Sequence, residues 1–242
     1  MRTIVWFAYF WFTLLFLIPR LRKAQRAEAA GDSATRDAIV SASVTHWCQT
    51  LMKLAGLEVT VLGRENIPND RPVVFVANHQ GYFDIPLMLT SLDAPHGLIA
   101  KQAIQKLPLI RDWMALLGCV FIDRDNARQS VAGLNEAAKA LEEQGRSFTI
   151  FPEGTRSQGG PLGEFKNGGF RVAFKSKAPI VPVCIDGSYK IMEANGYWIH
   201  PGKVTITILP PIFTEEMTRE ETKAVSASVR TMIAAHVAVK KQ

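Results

Sequence analysis

Beyond Gly56 the chain alternates short apolar runs with longer amphipathic stretches, and this alternation restricts its fold more than any other feature. The runs at residues 58–62, 73–77, 97–100, 119–122, 148–151, 180–185 and 204–209 have the length and composition of strands. Among the intervening stretches, 128–144 places Leu134, Ala138 and Leu141 on one helical face, and 219–239 has the pattern of a closing helix. Strands that alternate with helices predict an α/β fold: a mostly parallel sheet flanked by helices. No internal repeat or low-complexity tract competes with that reading. With 48% hydrophobic and 21% charged residues, a full core is available and global disorder is excluded.

The first 57 residues follow another pattern. Residues 3–18 are almost wholly apolar, Pro19 stops the run, and Arg20, Arg22, Lys23 and Arg26 follow. A spanning helix needs about 20 apolar residues, so this run is at the short limit. Arg2 gives the basic start of a signal peptide, but no small-residue cleavage site directly follows the run, which favours a retained anchor. The basic flank is expected on the cytoplasmic side, which turns the rest of the chain toward the cytoplasm. Residues 24–37, polar and containing Gly31 and Asp32, are expected to form a turn or linker. Residues 39–57 place Val40, Val44, Trp47, Leu51 and Leu54 at helical spacing. That amphipathic helix either covers the core or lies on a membrane. The expected organisation is an N-terminal membrane-associated helical segment, 1–57, followed by an α/β domain, 58–242.

A net charge of +6 favours anionic partners: a membrane surface, nucleic acid or phosphorylated substrates. The basic residues are scattered, with no basic helix interleaved with aromatics, which speaks against nucleic acid. Cys48, Cys119 and Cys184 have apolar neighbours and form no CxxC pair. They are expected to be reduced, buried thiols, as in a cytosol-facing protein. No zinc-ligand spacing is present.

The polar clusters share one position. The run 73–77 leads into Asn78-His79-Gln80-Gly81-Tyr82-Phe83-Asp84, 97–100 into Lys101, and 119–122 into Asp123-Arg124. The run 148–151 leads into Pro152-Glu153-Gly154-Thr155-Arg156-Ser157. Ligands of open α/β sheets bind outside the carboxyl ends of the strands. If these strands are parallel, His79, Asp84, Lys101, Arg124, Glu153 and Arg156 surround one site. A histidine accepts a proton near neutral pH, and a carboxylate on its other ring nitrogen fixes the tautomer. No GxSxG serine or comparable cysteine is present, so His79 is expected to activate a substrate hydroxyl. Taken alone, His79 could also be structural or half of a metal pair. Two ligands are too few for a metal, and His46, His96, His200 and His236 have no matching carboxylates. Lys101, Arg124 and Arg156 supply cations, and arginine forks suit phosphate oxygens. Gly154 allows a close backbone approach to a phosphate. Glu153, between Pro152 and Gly154, needs a partner: an arginine or a substrate hydroxyl. The glycines at 159, 160 and 163, ahead of Lys166-Asn167-Gly168-Gly169, suggest a loop leading into a helix. No GxxxxGK[ST] is present, so a nucleotide P-loop is not supported.

These residues resemble the 1-acyl-glycerol-3-phosphate acyltransferases and their glycerolipid acyltransferase relatives over about residues 57–209. Four blocks stand in that family's order: Asn78 to Asp84 as NHxxxxD, Gly118 to Arg124, Phe151 to Ser157 as FPEGTRS, and Ile180-Val181-Pro182-Val183. NHxxxxD followed by FPEGTRS is the specific part. The resemblance implies acyl transfer from acyl-CoA or acyl-carrier protein to the sn-2 hydroxyl of lysophosphatidic acid, with no further cofactor and no metal. It makes His79 the base and Asp84 its orienting partner. It places Arg124, Glu153, Gly154, Thr155 and Arg156 around the acceptor, the arginines at its phosphate. Lys101 stands where relatives often carry a phosphate-binding lysine, and Val181 and Pro182 would shape the pocket. It also implies an N-terminal helix pair lying in one membrane leaflet. The chain departs from many relatives at Gln80-Gly81, where those carry a hydroxyl residue after the histidine. A near alternative is another lysophospholipid as acceptor. A different class, a non-catalytic membrane-binding module, is disfavoured by the intact set of His79, Asp84, Glu153 and Arg156.

Overall fold

The polar stretch expected to be a linker is mostly helix. A computed structural model of the protein describes residues 1–92, 96–123 and 125–237. In it, α1 (Arg2–Phe16), α2 (Ile18–Ala29) and α3 (Ser33–Ala55) follow one another, joined through Leu17 alone and through residues 30–32. Helix α2 buries Leu21, Ala24 and Ala27, a narrow stripe at helical spacing, beneath an outer face of charges. Small residues in such a stripe carry little hydropathy, which is why the stretch looked like a linker. Pro19 does not end a helix but sits in the first turn of α2, where its missing N–H costs nothing. Helices α1 and α2 are bent by 47° at that junction. The Asp32 side chain accepts the Thr35 N–H and caps α3, and Gly56 closes α3 in the left-handed conformation.

The remaining elements are β1 (Leu57–Leu62), β2 (Val74–Ala77), α4 (Asp84–Ser91), β3 (His96–Lys101), α5 (Ile110–Leu116) and β4 (Val120–Ile122). After them come α6 (Ala127–Gln144), β5 (Ser147–Ile150), α7 (Asn167–Ser176), β6 (Ile180–Asp186), β7 (Gly202–Ile208) and α8 (Arg219–Ala234). The closing helix thus ends at Ala234, short of the expected 239, and 238–242 lie outside the described residues. The strands form a seven-stranded sheet in the order β1-β7-β6-β2-β5-β3-β4. From β6 to β4 all pairs are parallel; β7 runs antiparallel to β6, and β1 is parallel to β7.

Successive side chains of β2 divide the core between the two sheet faces. Val73, Phe75 and Ala77 join Phe83, Leu87 and Met88 under α4, together with Trp6, Leu51 and Met52 from α1 and α3. Val74 and Val76 join Leu134, Ala138, Phe170 and Val229 under α6, α7 and α8. The first helices therefore share the core of the sheet. The Trp6 indole N–H donates to Leu51 O at 2.8 Å, and the Trp47 indole N–H donates to Thr13 Oγ1 at 2.8 Å. The three cysteines are free and buried, and burial pushes their thiols up to about 12. They are inert, as expected of structural thiols.

The chain leaves β2 over one sheet face to reach β3, and leaves β5 over the other to reach β6. These opposite exits open a crevice between the carboxyl ends of two neighbouring strands, where ligands bind in such sheets.

Candidate active site

The loop after β2 is fixed by side chains that imitate a strand. Asn78, almost fully buried, donates from Nδ2 to Ile185 O at 2.9 Å and accepts the Ile185 N–H at 2.7 Å. Its amide thus continues the β2–β6 ladder by one step. Asn78→Ala would orphan both a buried N–H and a buried C=O. It is expected to cost about 2–4 kcal/mol of stability, read by denaturant unfolding.

His79 comes next. Its Nδ1 lies 2.7 Å from Asp84 Oδ2, and its ring stacks on Phe151 at 4.3 Å between centroids and 24° between planes. Phe151 follows β5, so the end of a neighbouring strand covers one face of the imidazole. Asp84 opens α4 and its side chain is fully buried. Oδ2 accepts the backbone N–H of Gln80 at 2.6 Å and of Gly81 at 2.8 Å, and Oδ1 accepts the Ser188 hydroxyl. Four donors converge on this carboxylate, as the burial of an acceptor-only group requires. With Asp84 as acceptor, Nδ1 carries the hydrogen and Nε2 is the atom able to take a proton. Gln80 Oε1 accepts the Gly187 N–H at 2.9 Å and so ties the same turn to the end of β6.

The second loop is laced to the first. Ser157 N–H donates to His79 O at 2.8 Å and Gln158 N–H to Gln80 O at 3.1 Å. Gly154 turns the chain with φ +72°. Glu153 is buried and engaged at both oxygens: Oε1 accepts the His79 N–H at 2.7 Å, and Oε2 accepts the Gly163 N–H at 2.9 Å. Burial pushes its carboxyl above the ordinary range, and these two N–H groups pull it back. The glycine-rich loop is secured from α8, where Arg230 donates to Gly163 O and to Leu162 O, each at 2.7 Å.

Arg156 lies with Cζ 3.6 Å from the Tyr82 ring centroid and Nη1 3.5 Å from Glu193 Oε1. That separation is an ion pair without a formed hydrogen bond, and Nη1 is buried with no hydrogen-bond partner. The Glu193 side chain is fully buried and its Oε1 accepts the Tyr82 N–H at 2.7 Å. Burial pushes Glu193 up as well, with the Tyr82 N–H acting against it. Of the other expected site residues, Thr155 is exposed at the loop surface. Lys101 ends β3 with an exposed side chain, separated from β2 by β5. Arg124 lies outside the described residues.

The structure therefore brings together His79, Asp84, Glu153, Gly154 and Arg156, and places Lys101 at the same carboxyl edge of the sheet with β5 between its strand and β2. Sequence reasoning missed Ser188, Glu193, Gly163 and Arg230. Ser188 follows the end of β6, so the strand-end rule could have found it. Glu193 and Arg230 stand in no motif. A shallow concavity of about 540 Å³, lined by residues such as Arg71, Glu142, Lys177 and Glu215, lies at the opposite, amino edge of β2 and β6. It holds none of these groups.

A model of the family described as Acyltransferase matches residues 58–186. The 1-acyl-sn-glycerol-3-phosphate acyltransferase of Saccharomyces cerevisiae is 34% identical over 184 residues, 74% of this chain and 60% of that protein. The probable 1-acyl-sn-glycerol-3-phosphate acyltransferase of Mycoplasma pneumoniae is 33% identical over 186 residues, 75% of this chain and 69% of that protein. The match thus spans less than two thirds of the yeast relative's length. The crystal structure of the 1-acyl-sn-glycerophosphate (LPA) acyltransferase PlsC from Thermotoga maritima superposes with a TM-score of 0.79 at 28% identity. That superposition covers 98% of this chain and 96% of the other.

Proposed function

The chain belongs to the Acyltransferase family, and from that premise we propose that it transfers a fatty acyl group to the sn-2 hydroxyl of 1-acyl-glycerol-3-phosphate, giving phosphatidic acid. The donor is a thioester, acyl-CoA or acyl-carrier protein. The observation that carries the reading is the His79–Asp84 contact of 2.7 Å with Asp84 fully buried. Nε2 of His79 takes the proton of the acceptor hydroxyl as its oxygen attacks the thioester carbonyl carbon. The carbon–sulfur bond breaks, and the proton held by His79 passes to the departing thiolate. Asp84 stabilises the imidazolium between the two transfers. Ser188 donates its hydroxyl to Asp84 and so acts in support of the pair, with no covalent acyl-enzyme required. Acyl group, proton and thiolate account for every atom, so the reading includes no resident cofactor or metal.

Arg156 is assigned to the acceptor's phosphate, with Gly154 and Thr155 on the same loop. A second reading, acylation of another lysophospholipid, draws on the charges: Arg156 already faces Glu193, and Lys101 is two strands away from β2. Thioester consumption over a panel of lysophospholipids, with both donor types, separates the two. The phosphate monoester is expected to react fastest; a phosphodiester lysolipid that reacts faster overturns the first reading.

The acceptor is a lipid, and α1 suits a membrane surface. Its inner face is fixed to the protein through Trp6, Leu14 and Arg2, which donates to Ala55 O at 2.9 Å. Its outer face exposes Ile4, Phe7, Trp11, Phe12, Leu15 and Phe16. Among the described residues no single helix is long and apolar enough to cross a membrane, although α1 and α2 pass that test together as a bent pair. A helix held along one face by the domain is read as lying in the interface plane. Arg20, Arg22, Lys23 and Arg26 are exposed on α2 and suit the anionic lipids of the cytoplasmic leaflet. Changing Trp11, Phe12 and Phe16 together to serine is expected to weaken vesicle binding by at least about tenfold, read by co-sedimentation. Undiminished sedimentation would place the anchor elsewhere.

A further inference from the structure

Arg156 is held by two different restraints. The Tyr82 ring, 3.6 Å from Cζ, fixes the plane of the guanidinium. It does not fix rotation within that plane. Glu193 does, by drawing Nη1 to 3.5 Å from a carboxylate whose side chain is fully buried. Charge attraction at one corner of a planar fork, even without a formed hydrogen bond, biases its remaining edge toward one direction. Glu193 is itself pinned by the Tyr82 N–H at 2.7 Å, so plane and rotation are set from one turn. Gly81 leaves the space for this: a Cβ there would stand 2.6 Å from the Glu193 carboxylate. The glycine after Gln80, a departure from many relatives, is thus matched to the glutamate beneath it.

We propose that Glu193 is a positioning residue for the acceptor, turning the Arg156 guanidinium so that its unengaged edge meets the phosphate. The proposal rests on the acyl-transfer reading above. Glu193 does not touch the ligand, because its carboxylate is covered by Gly81, Tyr82 and Arg156. It acts by reducing the orientational freedom that phosphate binding would otherwise have to remove. This outweighs the loss of charge at Arg156 because the ion pair is long and leaves Nη1 without a formed hydrogen bond.

The test is steady-state kinetics of the full chain with 1-acyl-glycerol-3-phosphate in vesicles and acyl-CoA, on Arg156→Ala, Glu193→Gln and the double variant. Glutamine keeps the volume and the acceptor for the Tyr82 N–H, so the turn is retained. Glu193→Gln is expected to raise the acceptor KM about tenfold, with kcat and donor KM within about threefold. In the Arg156→Ala background the same change is expected to add less than about twofold, because the group it orients is gone. A residue that merely supported the turn would lower kcat through His79 and would act equally in both backgrounds. Either of those results, or an unchanged acceptor KM in Glu193→Gln, overturns the proposal and leaves the acyl-transfer reading standing. If the unaltered protein transfers no acyl group to this acceptor, the functional reading itself fails.

Discussion

His79→Ala is expected to lower acyl transfer by about 10³-fold or more while the protein stays folded. The histidine ring is the group placed to take the hydroxyl proton, and Asp84 reserves Nδ1 so that Nε2 can do so. The fold survives because Asp84 retains the Gln80 and Gly81 N–H groups and the Ser188 hydroxyl when the ring is gone. Loss of the ring removes a stacking partner of Phe151 at a partly exposed position, a small cost beside the two core clusters. Turnover measured beside circular dichroism separates the outcomes. Activity near that of the unaltered protein would end the assignment of His79 as base.

Asp84→Asn is expected to lower kcat by about 10²–10⁴-fold, with KM for both substrates little changed. The amide oxygen at the Oδ2 position still accepts the two backbone N–H groups. The amide nitrogen at the Oδ1 position faces the Ser188 oxygen, which rotates its hydrogen to accept. Geometry is therefore kept and only the charge is lost, so the imidazolium formed during proton transfer has no counter-charge. Asp84→Ala is a poorer probe, since it strips the partner from all four donors that converge on the buried carboxylate. If Asp84→Asn retains full kcat, the pair is structural, and the base must be oriented by something else.

The strands were legible because a buried strand demands a short apolar run and a parallel sheet demands many of them. The run at 180–185, for example, is buried throughout as part of β6. The stretch 24–37 was not legible, because the buried stripe of α2 is only Leu21, Ala24 and Ala27, and alanine adds little to a hydropathy pattern. Pro19 does close the apolar run, but the sequence did not show that the chain continues as helix through it. Its effect depends on whether it falls inside a helix or in its first turn, and here it stands in the first turn of α2.

By itself, the sequence determined that an acid–base pair and a cation would gather at one edge of a parallel sheet. That follows from local order: each polar block comes directly after a strand, and parallel strands end on the same side. The tertiary structure alone decided how those groups are engaged. Glu153 clamps the backbone of His79 and Gly163, β5 comes between Lys101's strand and β2, and Glu193 reaches Arg156 from outside every motif. These are contacts between residues far apart in the chain. They depend on which strands become neighbours and where burial leaves a carboxylate in need of a partner, and no spacing along the sequence encodes that.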